Sequence, residues 1–292
     1  EEVGSSLYGT IPTELGLLTM LEFFNVRGNA LEGSIPSEFA SFTDLRQLIV
    51  RQNMISGEIP SEIGIWSKLR FLEVEDNQIR GSLPSEVGML TLLESILLSR
   101  NQLSGDIPSQ IGQLMQMTTF SASMNGFTSI PTEIGNLSSL ITLDLGGNNL
   151  RGTIPSDVGR LSNLSLLALG NNTLTGTIPT TIGNLILLQE NLDLSANQLF
   201  GPIPTQLGRL VLLRQLLLNS NQLTGQIPTE FAALSSLSKS IFLPVLSTFF
   251  NRQLLGVNLN SSLSCFFLLF RRASSGVQHA HWNCTWRCVH CF

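Results

Sequence analysis

Residues 205–228 read TQLGRLVLLRQLLLNSNQLTGQIP, and nearly everything else in the 292-residue chain is a copy of this unit. Leu216 and Leu218 alternate with Gln215, Leu217 and Asn219. That alternation predicts a short strand with two leucines turned inward and three side chains turned outward. Asn221 then turns the chain. Its carboxamide carries donors and an acceptor, which at a buried turn must find backbone partners on its own and adjacent copies. Gly225 permits an unusual backbone angle, and Pro228 lacks an N–H and disfavours helix at the residue before it, so the stretch after Leu223 stays extended. Leu207, Leu210 and Leu213 are spaced by three, as in a loose, short helical turn that carries the chain back along the far side. The unit is one coil of a solenoid.

The copies keep time. The turn asparagine recurs at Asn29, Asn53, Asn77, Asn101, Asn125, Asn148, Asn172, Asn197 and Asn221, with spacings of 24 residues except one of 23 and one of 25. Ten of the 12 prolines close an Ile-Pro or Leu-Pro pair that keeps this clock, from Ile11-Pro12 to Ile227-Pro228. The pattern LxxLxxLxLxxNxLxGxIP, from roughly Leu7 to Leu237, resembles the leucine-rich repeat, and GxIP marks its plant-type class. The resemblance implies an α/β solenoid, a right-handed superhelix of about ten coils with a concave parallel β-sheet. It also implies a second short strand at LxGxIP and irregular or 3₁₀ turns on the convex side. Related arrays serve as receptor ectodomains, secreted inhibitors of wall-degrading enzymes, and adhesion or wall proteins, so the resemblance speaks to fold more than to function.

A solenoid grows by adding coils that touch only their neighbours, so one elongated domain is expected over residues 1–237. That segment holds all 21 acidic residues and 11 of the 16 basic ones, a net charge of −10, which makes it a poor candidate for nucleic acid. It has no His or Cys. The chain begins at Glu1 without a charged-then-apolar leader, and Ser5 stands where a ladder asparagine would fall. The expectation is that a leader and a polar capping unit lie upstream.

From Ser238 the pattern dissolves. Residues 238–292 read as a degenerate last coil, in which Leu246 takes the asparagine position, and an atypical tail with five basic and no acidic residues. Leu254 to Phe270 is mostly apolar and ends at Arg271-Arg272, which resembles a stop-transfer arrangement, although Asn258 and Asn260 weaken it. Membrane association through this segment is one reading. The cluster of His279, His281, Cys284, Cys288, His290 and Cys291, with Cys265, reads as a disulfide cap, as a zinc site lacking a second well-spaced ligand pair, or as mistranslated sequence. No metal or cofactor is expected.

Two coils depart from the period. Asn125-Gly-Phe-Thr-Ser-Ile-Pro lacks one residue and the usual glycine, which should alter local strand arrangement or curvature. The eighth coil gains a residue around Gln189-Glu190-Asn191, a loop change. Trp66 replaces the convex leucine as a core aromatic. Sequons at Asn136, Asn163 and Asn171 fall on turn or convex positions where a sugar could fit, with two more at Asn260 and Asn283.

No catalytic constellation survives inspection. Serine, cysteine and His-based schemes lack their central groups, no phosphate-binding glycine loop sits between strand and helix, and Glu73 and Glu75 project from an open sheet. The positive case is geometric: outward strand residues can vary without disturbing the core. Counting back six, four and two from each asparagine gives Phe23, Asn25 and Arg27, then Gln47, Ile49 and Arg51, then Phe71, Glu73 and Glu75, with Ser95, Leu97 and Ser99 following. Coils five and six give Thr119, Ser121 and Ser123, then Thr142, Asp144 and Gly146. Large aromatic and charged groups gather in the first three coils, so Phe23, Arg27, Gln47, Arg51, Phe71, Glu73 and Glu75 are the candidate ligand-binding residues. The competing reading is a surface ladder in which Arg51 pairs with Glu75 one strand away. The expected protein is an extracellular or cell-surface module for a protein, peptide or glycan ligand, with a co-receptor as a further partner. The alternatives are a secreted inhibitor of a polysaccharide-degrading enzyme and a structural or adhesion protein of the wall.

Overall fold

Every ladder asparagine stitches its own coil to the one before it. A computed structural model describes residues 6–241. At Asn172, the amide nitrogen donates to the carbonyls of Leu145, Leu169 and Gly170 at 3.1, 3.0 and 3.2 Å. Its oxygen accepts the Leu150 N–H at 3.0 Å. The same set recurs along the row, from Asn53 on Val26, Val50, Arg51 and Leu31 to Asn221 on Leu194, Leu218, Asn219 and Leu199. Asn148, Asn172, Asn197 and Asn221 are buried, and the earlier members are half-buried with the same pattern of bonds. The ladder holds a backbone that would otherwise resist its own turn. The residue before each asparagine has positive φ, and at Gln52, Asp76, Arg100, Met124, Asn171, Ala196 and Ser220 it is not glycine.

Strands of three residues precede these turns and stack in register into one ten-stranded parallel sheet, from Phe23–Asn25 to Lys239–Ile241. In the nine strands from Phe23–Asn25 to Gln215–Leu217 the middle residue points into the core, from Phe24 and Leu48 to Leu192 and Leu216, while its neighbours face outward; the tenth sets half-buried Ser240 beside Leu216. Past the turn, LxGx segments pair into smaller sheets on the flank. Their glycines, such as Gly176 at φ +79°, occupy the left-handed region. The flank sheet that joins Arg80–Gly81, Gln102–Gly105 and Gly126–Phe127 ends at the fifth coil, the one lacking a residue and that glycine. The concave sheet runs through it unbroken. The added residue of the eighth coil is absorbed just before its strand, where the Gln189 and Glu190 N–H groups both donate to Ser165 O, and Asn191 then pairs with Leu166 in register.

Each GxIP proline is the extended residue that opens a five-residue 3₁₀ turn, and its carbonyl accepts the N–H three residues on, as in Leu207 N–H to Pro204 O at 3.2 Å. The turns line the convex side and bury one apolar residue after another, Ile63, Val87, Ile111, Val158 and Ile182 among them. A glycine follows these residues because the next coil leaves no room for a side chain. A Cβ on Gly183 would lie 2.4 Å from Gln206 O, and one on Gly159 would lie 2.4 Å from Thr181 O. The second coil carries Ala40 in this position, and its turn touches the third coil's turn less than any other neighbouring pair touches. Trp66 fills the wider interior there, 1% exposed, and its indole N–H donates to Phe39 O at 2.8 Å. Phe39 in turn packs on Phe24 and Phe42, with ring centroids 5.1 and 4.5 Å away. One continuous core runs from Ile11 to Leu234. Among the described residues no helix is long and apolar enough to cross a membrane, and no cluster of His, Cys, Asp and Glu is placed to hold a metal. Ser5, Leu246, Leu254–Phe270, the cysteines and histidines, and the sequons at Asn260 and Asn283 lie outside the described residues.

Replacing Asn172 with Ala removes partners from backbone groups on two coils and should cost about 1–3 kcal/mol for each group left unpaired. Asn219, whose amide reaches only Ser220 Oγ at 3.4 Å, should tolerate Ala with little loss. Chemical denaturation of the two variants side by side checks this. Gly183→Ala should also destabilise, by about 1–3 kcal/mol of overpacking strain, and a melting temperature equal to that of the parent chain would contradict the close coil contact.

Candidate functional site

Ten stacked strands fix three columns of outward side chains. Phe23, Gln47, Phe71 and Ser95 stand in one, and Asn25, Ile49, Glu73 and Leu97 in the next. Arg27, Arg51, Glu75 and Ser99 follow in the third, where the ladder continues through Val50 N–H to Glu73 O and Gln52 N–H to Glu75 O. All seven sequence-derived candidates therefore share one face of coils one to three.

The charges are not free alike. Arg51 Nη1 lies 2.9 Å from Glu75 Oε1, and its Nε lies 3.4 Å from Glu73 Oε2, with the three side chains 29%, 14% and 18% exposed. The ladder reading of Arg51 and Glu75 is thus realised, and Glu73 joins it. Burial pushes the Glu73 carboxyl above its ordinary value against the opposing pull of Arg51. The hydrogen bond that Arg51 donates to Glu75 raises the guanidinium above its ordinary value. Glu75 Oε2 is buried without a hydrogen-bond partner. Arg27 is exposed and, among the described residues, in no ion pair. Phe23 is 55% exposed, and Phe71 is half-buried with the Arg70 guanidinium 5.9 Å from its ring centroid. Arg70 is itself bound to Glu94, and the neighbouring edge pairs Arg46 with Glu22 and Lys68 with Asp44. The result is a surface with two aromatic rings, an exposed cation and a tied ionic group between them, open to a ligand of extended shape.

Coils four and five offer less. Ser99 Oγ lies 2.8 Å from Ser121 Oγ and accepts from Ser123 N–H and Ser123 Oγ, both at 3.0 Å, so these hydroxyls satisfy one another. Beyond them the count by six, four and two also gives Leu166, Ala168 and Gly170, then Asn191, Asp193 and Ser195, then Gln215, Leu217 and Asn219. Sequence reasoning stopped at the sixth coil and missed Asp193; the same counting rule would have found it. The sequon residues Asn136, Asn163 and Asn171 are all exposed, and the Asn163 amide donates to Ser138 O at 2.8 Å.

Residues 121–269 match the family described as leucine-rich repeat region, and residues 20–42 and 92–114 match the leucine rich repeat itself. Among solved structures, a TDR receptor is 33% identical, covers 81% of this chain and 41% of its own, and superposes with a TM-score of 0.78. The Arabidopsis receptor kinase HAESA, in complex with the peptide hormone IDA and the co-receptor SERK1, is 34% identical over 79% of this chain and 39% of its own, with a TM-score of 0.76. A plant ice-binding protein is 27% identical over 81% of this chain and 78% of its own, with a TM-score of 0.68. The chain spans about two fifths of the two receptor chains. Comparison with curated proteins gives no match.

The raised Glu73 carboxyl has a consequence for stability. The folded state binds that proton more tightly than the unfolded chain, so stability falls as pH rises from the ordinary carboxylate value, about 4.3, through the raised one. Glu73→Gln should flatten this part of the stability–pH profile, as read by urea denaturation at a series of pH values.

Proposed function

The chain belongs to the leucine-rich repeat family, and on that footing we propose that it is an extracellular or cell-surface binding module of the receptor-like kind. Its ligand is a peptide or protein carried on the concave sheet, and a co-receptor is its second partner. The observation that carries the reading is the division of labour within each strand: the inward residue is core, and the outward residues are free of it. In coils one to three those free positions hold Phe23, Arg27, Gln47, Arg51, Phe71, Glu73 and Glu75, a concentration of the side chains that dominate interface energies. Likeness to receptor ectodomains at 33% and 34% identity supports the same reading, one of them solved with a peptide hormone and a co-receptor.

The domain division that accompanies this reading is a solenoid over residues 1–237 followed by a degenerate last coil and atypical tail, 238–292, whose strand Lys239–Ile241 still extends the sheet. Glycans at Asn136, Asn163 and Asn171 fit a secreted chain, since all three side chains are exposed. The function is binding rather than catalysis: residues 1–237 contain no His or Cys, and Glu73 and Glu75 share Arg51 instead of facing a closed cleft. Ice binding is a second reading that the likeness to the plant ice-binding protein raises. Exposed charges stand against it, with Glu58, Arg80, Asp106 and Arg151 on the flank and Arg27 on the concave face.

The test is retention by the immobilised chain of a peptide pool from the medium of the cells that express it. Phe71→Ala should lower retention at least tenfold with the melting temperature unchanged, and Ser121→Ala should leave it unaltered. Retention of wall polysaccharide alone, or inhibition of a polysaccharide-degrading enzyme insensitive to Phe71→Ala, would replace this reading by one of its alternatives.

A further inference from the structure

The concave face changes character past the fifth coil. Strand register sets Asp144 beside Ala168 and Ala168 beside Asp193. The two aspartates therefore lie two strand spacings apart, about 10 Å, with only a methyl group between them. In the adjoining column Gly146 and Gly170 carry no side chain. The Asp193 carboxylate takes up the space over Gly170 of the preceding coil: a Cβ built there would meet both of its oxygens at 2.7 Å.

Each carboxylate is held by one oxygen. Gly146 N–H donates to Asp144 Oδ1 at 3.1 Å, and Ser195 N–H and Oγ donate to Asp193 Oδ1 at 2.9 and 2.6 Å. Among the described residues neither aspartate is in an ion pair, unlike Glu73 and Glu75. The outward strand positions of coils four to nine contain no basic residue. At the margin, Glu190 and Arg214 sit just before their strands, both exposed. This unpartnered sheet face is thus electronegative, floored by small residues, and complementary to positive charge.

We propose, resting on the binding-module reading above, that coils six to eight seat an extended cationic peptide, with one arginine or lysine side chain held between Asp144 and Asp193 over Ala168. A guanidinium presents donors on two sides to meet two carboxylates, and the Ala168 methyl between them leaves room for its approach. The occupant follows from charge: a ligand with acidic groups here would face two unpaired carboxylates without a compensating cation.

The experiment uses the full chain and a matched set of capped nine-residue peptides of Ala, Ser and Pro. Each peptide carries a single arginine, or the neutral isostere citrulline, at every position in turn. Binding is followed by titration calorimetry up to millimolar peptide. At least one arginine peptide should bind about tenfold or more tightly than its citrulline twin, and Asp144→Asn with Asp193→Asn should abolish that preference while leaving the melting temperature in place. Phe71→Ala should not abolish it. Arginine and citrulline peptides that bind alike, or a preference that survives the double substitution, would overturn the inference and leave the binding reading standing. Absence of binding by every peptide of this set overturns the cationic seat, while the retention assay on the cell-derived pool decides the broader reading separately.

Discussion

The structure depends on one repeated interaction, the asparagine carboxamide that bonds the backbone of two successive coils. A three-residue strand is too short to define its own end, and the turn after it takes a left-handed residue that is rarely glycine. Such a residue costs about 1–2 kcal/mol outside glycine. At Asn197 the amide draws on Leu169 O from the preceding coil and on Leu194 O and Ser195 O from its own, while its oxygen takes the Leu174 N–H. Each bond is worth little net, but leaving its buried partner bare is costly, so the ladder acts through what its loss would expose. This makes stability a property of neighbouring pairs rather than of coils.

Convex and concave sides meet different demands as a result. On the convex side the spacing of coils is set by backbone against backbone, which is why glycine follows Val158 and Ile182 and why Ala40 coincides with a looser pair of turns. Trp66 shows how the core answers: the larger interior takes an indole, and its N–H finds Phe39 O. The concave side is under no such demand. Its outward residues touch one another along and between columns, as Ser99, Ser121 and Ser123 do, and can change in sets without reaching the leucines beneath.

Much of this was legible in the sequence because period and chemistry coincide. The inward positions, the ladder, the 3₁₀ turns and the effect of a shortened fifth coil all follow from spacing, and the core aromatic at Trp66 follows from its place in the repeat. The left-handed residue before each asparagine was not legible, since Gln52, Arg100 and Ala196 carry no local signal for it; the constraint comes from tertiary bonds. The convex glycine row had the signal of a 24-residue period and a reason visible only with the next coil in place. At the candidate site the columns were legible and the pairing was not: sequence placed Arg51 near Glu75, while side-chain geometry brought in Glu73.

These pairings decide which parts of the face are free to bind. Arg51 has Glu73 and Glu75 as partners, so a ligand that recruits it must loosen an existing ionic group and gains only the difference. Phe23 and Arg27 face solvent, and among the described residues Arg27 is in no ion pair, acting on Glu73 only through its charge. Asp144 and Asp193 stand between these cases. Each has one oxygen fixed by local N–H or hydroxyl donors and no cation to surrender, so a positive group entering there meets carboxylates already oriented by the fold. Affinity on a broad open sheet therefore depends less on how many charged residues it carries than on which of them the protein has left unpaired. By that measure the acidic stretch of coils six to eight and the aromatic rim of coil one offer more than the ion-paired centre between Arg51 and Glu75.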